Sequence, residues 1–272
     1  MIVSSNKDVA SLNIKKQILA NYRFEETAER HQANPVFKTA IKYREVKLVT
    51  LNQESVYAQN LPDFFSDLEL VVFISRHSSE SETPTLSVHT PGNLGPAELG
   101  GLPRKVSFSP ASAMQNALGK MKILTNELDL DYEVSYEGTH HGPSLDVPTM
   151  FVELGSSSTQ WNDLRAAEVV AHAAMEAITK FDNRTDQIVL GIGGLHYNAK
   201  FTQIALESNI AFGHMIPKYA IPEIDALIVK QCIERTLEKV DHVVLDWKGI
   251  KGENKSSLVE MLHKLEVPFE KV

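Results

Sequence analysis

Short, nearly unbroken apolar runs separated by stretches of helical periodicity dominate the hydrophobic pattern of this chain. Leu68-Glu69-Leu70-Val71-Val72-Phe73-Ile74-Ser75 is the strongest early run, and its continuity predicts a strand covered on both faces, as in a parallel sheet. Met1 to Ser5, Pro84 to Asn93, Pro148 to Val152, Gln187 to Gly194, Ile210 to Gly213 and His242 to Asp246 predict further strands, and Tyr132 to Glu137 alternates with period two. Helices are predicted from Asp8 to about Asn21, from a Ser109-Pro110 start to about Leu128, and over Trp161–Lys180, Lys200–Glu207, Glu223–Leu237 and Lys255–Leu265. In the third of these, Leu164, Ala167, Ala171, Ala174 and Ile178 recur at spacings of three and four, a core stripe of mostly small residues. Tyr22 to Lys47 is charged and predicts irregular chain, and Gly155 to Thr159 predicts a polar loop able to cap the next helix and offer amides to an anion. Strands and helices alternate without repeat, low-complexity tract or linker, so the expected fold is α/β in a single catalytic domain, residues 1–272.

Composition narrows this picture. Hydrophobic residues make up 43% and charged residues 23% of the 272, and no apolar run approaches the ~20 residues of a membrane helix. The first residues lack the basic and apolar regions of a signal peptide, and Cys232 is the single cysteine, so neither an intrachain disulfide nor a cysteine-rich zinc site is available. A cytoplasmic protein is expected, with any metal held by histidine and carboxylate. The net charge of -8 argues against broad nonspecific nucleic-acid binding. A local basic surface is nevertheless available at Trp247-Lys248-Gly249-Ile250-Lys251-Gly252-Glu253-Asn254-Lys255, with Arg104-Lys105 and Lys120-Met121-Lys122 as smaller ones.

The candidate chemistry is histidine. His77, His89, His140, His141, His196 and His214 all fall at predicted strand ends or glycine turns, where open α/β sheets place ligands. Gly138-Thr139-His140-His141-Gly142-Pro143-Ser144 is the densest segment, with the carboxylate Glu153 at the end of the strand that follows. Imidazole suits zinc, and a catalytic zinc keeps three protein ligands and an open position. Adjacent side chains of extended chain point to opposite faces, so His140 and His141 share a metal only if a turn intervenes. We assign His140, His141, His196 and Glu153 to catalysis and His77, His89 and His214 to a metal. Gly193 and Gly194 form a substrate-binding turn, with Trp247, Lys248 and Lys251 binding the remainder of the substrate. Gly191-Ile192-Gly193-Gly194 lacks dinucleotide-fingerprint spacing, Glu168 and His172 read as a structural pair, and no serine or cysteine sits in a nucleophile motif. Activated water is the favoured chemistry.

The series Arg76-His77, Ser87-Val88-His89-Thr90-Pro91-Gly92-Asn93, Gly138 to Pro143, Glu153-Leu154-Gly155-Ser156, Trp161, Gly191 to Tyr197, Gly213-His214 and Asp246-Trp247-Lys248 resembles the archaeal and plant type of D-aminoacyl-tRNA deacylase over nearly the whole chain. The resemblance implies a phosphorylase/hydrolase-like mixed sheet flanked by helices, related to peptidyl-tRNA hydrolase. It also implies hydrolysis of the ester joining a D-amino acid, such as D-tyrosine, to tRNA, in translation quality control, with zinc as cofactor. The expected partner is D-aminoacyl-tRNA, with no DNA or membrane partner, and a monomer is expected. A peptidyl-tRNA or other zinc-dependent amidohydrolase and a noncatalytic RNA-binding protein are the alternatives.

Overall fold

The computed structural model describes residues 1–272. The chain runs β1 (Ile2–Ser5), α1 (Val9–Asn21), β2 (Glu25–His31), β3 (Asn34–Ile41), β4 (Arg44–Leu51), β5 (Val71–Arg76), β6 (Thr85–His89), α2 (Ala111–Glu127), β7 (Glu133–Tyr136) and β8 (Thr149–Gly155). It continues through α3 (Ser158–Trp161), α4 (Leu164–Thr179), β9 (Gln187–Gly193), α5 (Ala199–Glu207), β10 (Ile210–Ile216), α6 (Ala226–Glu234), β11 (His242–Asp246), α7 (Gly252–Lys264) and β12 (Phe269–Lys271). Two sheets result. One is eight-stranded and mixed, in the order β2-β3-β4-β1-β5-β8-β6-β7; the other has four strands, β10-β9-β11-β12, all parallel. The α/β expectation is met.

A single core of 36 buried residues lines the helix-facing side of both sheets. It joins Ile14, Ile18, Met114, Met121, Val170 and Ala174 of the helices to Val72, Val88 and Val152 of the large sheet and to Val189, Phe212 and Val244 of the small one. The other face of the large sheet packs Val3, Val49, Phe73 and Phe151, and the other face of the small sheet packs Leu190, Ile192, Val243 and Leu245 under α6 and α7. Within the stripe of α4, the four positions from Ala167 to Ile178 are buried, whereas Leu164, in its first turn, is 43% exposed.

The charged segment from Tyr22 to Lys47 is not irregular: it forms β2, β3 and the start of β4, an antiparallel meander. Its turns place Gln32, Ala33 and Lys42 at positive φ, without the glycine or asparagine that marks such turns in a sequence. Its charges pair across strands, with Lys38 Nζ at 2.7 Å and Lys47 Nζ at 3.2 Å from Glu29. Helix α2 departs from expectation at its start. Ser109 does not cap it; the amides of Ala111 and Ser112 donate to the Glu238 carboxylate at 3.1 and 3.0 Å. The predicted helix starts at Trp161 and Glu223 move to Leu164 and Ala226, behind the caps Asp163 and Asp225.

Candidate active site

Strand alternation determines where the chemistry sits. Register pairs Ser75 with Glu153, Glu153 with Ser87, Ser87 with Ser135, and His89 with Phe151, so these side chains share one face of β5, β8, β6 and β7. Their neighbours Leu86, Val88, Tyr136, Val152 and Leu154 point into the helical core. Glu137, one residue beyond β7, continues the polar phase, and its amide donates to Val88 O at 3.1 Å.

Loops close over this polar patch from three directions. After β5, the His77 amide donates to Leu154 O at 2.9 Å, and Trp161 Nε1 donates to the His77 carbonyl at 2.8 Å. Gly155 makes this approach possible, since a Cβ there would lie 2.6 Å from the His77 side chain. After β7, the chain turns at His141, whose φ is 39°. That turn brings adjacent imidazoles together, the His140 and His141 ring centroids lying 4.2 Å apart and both close to His89. The small sheet supplies the third wall. Past Gly193 and Gly194, both at positive φ, the His196 carbonyl accepts from the Gly138 amide at 2.8 Å, and Tyr197 bridges Glu137.

Glu137 is the hub. Its Oε2 lies 3.0 Å from His196 Nε2 and 3.6 Å from His140 Nε2, and its Oε1 lies 3.4 Å from His77 Nδ1. His77 Nδ1 is also 3.7 Å from Glu153, whose other oxygen accepts from Ser75 Oγ at 2.5 Å. Tyr197 and His77 Nε2 share a 2.6 Å hydrogen bond, and Tyr219 and His196 Nδ1 one of 3.2 Å. His140 and His141 each engage a backbone carbonyl through Nδ1, of Gly138 at 2.9 Å and of Gly142 at 2.7 Å. Only N–H donates to a carbonyl, so each ring presents its Nε2 lone pair inward. The His140 and His196 side chains are 26% and 27% exposed, whereas Glu137 is fully buried, so the substrate meets the imidazoles first.

The electrostatics divide the cluster. Burial lowers His89 to about 3 and His141 to about 4, and burial with the neighbouring imidazoles holds His140 well below the ordinary range, keeping these rings neutral. Burial also acts to raise the Glu137 carboxyl, but the His77 charge and the His196 hydrogen bond overcome it and keep Glu137 ionised. Burial, reinforced by the Glu137 charge, raises Glu153. His77 is lowered by burial, yet Glu137 and Glu153 outweigh that and raise it. Two carboxyls flanking one imidazole are thus pushed apart, one charged and one biased toward its proton.

The donor set suits a cation. Neither ring nitrogen of buried His89 has a hydrogen-bond partner, nor does Glu137 Oε1, and an unmet buried polar atom costs about 1–3 kcal/mol. Three groups bring ligand atoms within 4.8 Å of one another: His89, His140 and His141; Glu137, His140 and His196; and His77, Glu137 and Glu153. Histidine and carboxylate donors of this kind fit zinc.

Of the residues singled out in the sequence, His77, His89, His140, His141, His196 and Glu153 are brought together. His214 lies apart, buried between Thr139 Oγ1 at 3.1 Å and the Arg235 carbonyl at 3.3 Å. Gly193 and Gly194 pack against Asp246 and shape the turn that carries His196. Trp247 is half-buried against the core under α6 and α7, with Lys271 Nζ 3.8 Å and Lys255 Nζ 4.7 Å from its ring, so ammonium groups occupy the indole. Glu168 lies 3.8 Å from His172, whose Nδ1 meets Tyr22, an arrangement remote from the cluster. Sequence reasoning missed Glu137, Tyr197 and Tyr219. The alternation of β7 running into Gly138 is the signal that locates Glu137.

Comparison with known proteins gives a consistent result. A family model described as D-aminoacyl-tRNA deacylase matches residues 64–270. The chain is 39% identical to the D-aminoacyl-tRNA deacylases of Thermococcus kodakarensis and Pyrococcus abyssi, covering 99% of this chain and 98% of each relative. It is 35% identical to that of Methanococcus vannielii, over 100% of this chain and 99% of the relative. A crystal structure described as a conserved protein of unknown function superposes with a TM-score of 0.87 at 28% identity, covering 99% of this chain and 94% of the other.

Proposed function

This chain belongs to the D-aminoacyl-tRNA deacylase family, and we propose that it hydrolyses the ester of D-aminoacyl-tRNA at the Glu137 cluster, releasing the D-amino acid and tRNA. The observation that carries this reading is the convergence of His77, His140 and His196, backed by Tyr197 and Tyr219, on one buried, ionised carboxylate at the mouth of the sheet. His89, His140 and His141 are the residues that would hold a zinc ion, their ligand atoms lying within 4.8 Å of one another and neither nitrogen of His89 having a hydrogen-bond partner. Such an ion supplies polarisation of the ester carbonyl and lowers the barrier to deprotonating water.

The chain's own groups do the rest. Glu137 Oε1, charged and accepting no hydrogen bond, takes the proton as a water oxygen adds to the ester carbonyl carbon. His77, between Glu137 and Glu153, supplies positive charge that keeps Glu137 ionised beforehand. His196, oriented by Glu137 at one nitrogen and Tyr219 at the other, lies at the entrance, where the carbon–oxygen bond to the ribose breaks and the proton taken up by Glu137 is returned, by way of His196, to the leaving oxygen. Glu153 acts one layer deeper, fixing His77 with Ser75. Trp247, Lys248 and Lys251, beyond the Gly193-Gly194 turn, bind the tRNA portion. A monomer suffices for this reading, and no helix is long and apolar enough to cross a membrane. Action in the cytoplasm accords with a tRNA substrate.

The test is a comparison of D-aminoacyl-tRNA, its L counterpart and N-blocked L-aminoacyl-tRNA, before and after chelation, with zinc binding measured alongside. Preferential release from the D substrate is expected, with zinc binding weakened in His89→Ala. Preference for the N-blocked L substrate would move the protein to peptidyl-tRNA chemistry. Undiminished zinc binding in His89→Ala would overturn the ligand assignment.

A further inference from the structure

The four strands β10-β9-β11-β12 are all parallel, so their C-terminal ends lie along one edge of the molecule. The chain places lysines along that edge at every strand exit: Lys200 in the first turn of α5, Lys218 after β10, Lys248 and Lys251 between β11 and α7, Lys255 in α7, and Lys271 in β12. Elsewhere, Lys38, Lys47, Lys105, Lys180, Lys230 and Lys264 each lie within 4.0 Å of a carboxylate. The edge lysines form no such pair; Lys7, Lys15, Lys16, Lys42, Lys120, Lys122 and Lys239 are also without one, so what sets the edge apart is the gathering of six lysines at the exits of one parallel sheet. Arg104 and Lys105, the other basic segment with an arginine, are engaged by Asp225 and Asp146 and are not free for phosphate.

Three features turn these lysines into a surface. Lys271 and Lys255 converge on the half-buried Trp247 ring, a rigid platform that holds two ammonium groups side by side. The Lys218 amide donates to Gly194 O at 2.9 Å, so this lysine is fixed to the same turn that carries His196 into the cluster. Lys200 and Lys251 stand at the starts of α5 and α7, where a cation is disfavoured by about 0.3–1 kcal/mol. Positive charge is therefore accumulated where the fold alone would favour acid. On a chain of net charge -8, the rest of the surface repels a polyanion and leaves this edge to receive it.

We propose that this edge is the track for the acceptor end of the tRNA, leading from the Trp247 platform past Lys200 and Lys218 to His196. The inference rests on the deacylase reading above and adds to it the path of the nucleic acid. Four strands about 4.8 Å apart give an edge of about 15 Å. At about 3.4 Å per step, that accommodates roughly four nucleotides. The contact thus reads phosphates near the ester and leaves the body of the tRNA free. Trp247 serves here as the holder of cations.

The experiment uses the full chain and measures affinity for uncharged tRNA from 50 to 200 mM salt, with kcat and KM for D-aminoacyl-tRNA. Lys200→Ala/Lys271→Ala is compared with Lys120→Ala/Lys122→Ala, which removes the same charge from α2. The edge variant is expected to lower the logarithmic salt slope by about 0.7–0.9 per lysine and to raise KM several-fold with little change in kcat. The α2 variant should match the parent. An unchanged slope and KM in the edge variant, or an equal loss in the α2 variant, overturns the track. If the parent protein releases no D-amino acid from tRNA, the deacylase reading fails first. If it does and the edge variant binds normally, only the track fails.

Discussion

Where Ser75, Ser87, Ser135 and Glu153 come into register, the two sides of β5, β8, β6 and β7 carry opposite chemistry on the same backbone. Toward the helices stand Val72, Ile74, Leu86, Val88, Val152 and Leu154, all fully buried and joined in one apolar core. Toward the loops stand Ser75, Ser87, His89, Ser135 and Glu153, nearly as buried yet polar. Burial is therefore not what distinguishes core from site. The distinction is strand phase: a one-residue register slip would exchange the two sets and destroy both.

Substitutions on each side should separate these roles. Glu137→Gln keeps the shape but removes the charge that four histidines surround, and a fall of about 10²–10⁴ in kcat is expected with the fold retained by circular dichroism. Activity within tenfold of the parent would remove Glu137 from the chemistry. On the other side, Leu154→Ala should cost about 2–5 kcal/mol in denaturant unfolding while the folded fraction turns over normally. A kcat defect without a stability loss would erase the contrast between the faces.

The smallest effect concerns the histidine outside the cluster. Burial lowers His214 to about 4 in the folded chain, against about 6.5 when unfolded. Between those values the unfolded state binds the extra proton. The stability contribution is complete above about pH 6.5 and is lost as pH falls toward 4, by up to about 3 kcal/mol. His214→Asn should flatten unfolding free energy against pH in that window relative to the parent. An unchanged curve would mean that His214 does not stay neutral in the fold.

Much of this was legible in the sequence for physical reasons. Continuous apolar runs gave β5 and β8, and period-two alternation gave β7, because burial on one or both faces leaves that imprint. The meander β2-β3-β4 was hidden because its cohesion comes from cross-strand charge pairs and from turns built by Gln32, Ala33 and Lys42. The histidine loops were visible as strand-end motifs, but the meeting of His140 with His141 depends on the backbone turn at His141. Glu137 was obscured as one more acid of a half-polar strand. The environment of Trp247 depends on Lys271, which reaches it only through the pairing of β12 with β11.

The third wall of the site, the His196 carbonyl held by the Gly138 amide, has a consequence for synthesis. A chain emerging from the ribosome exposes the Glu137 carboxylate and the His140-His141 turn well before residue 196 is available to close over them. Tyr219, which bonds His196 Nδ1, lies later still in the chain. The site is therefore a long-range assembly: no stretch of chain that stops short of residue 196 contains its third wall.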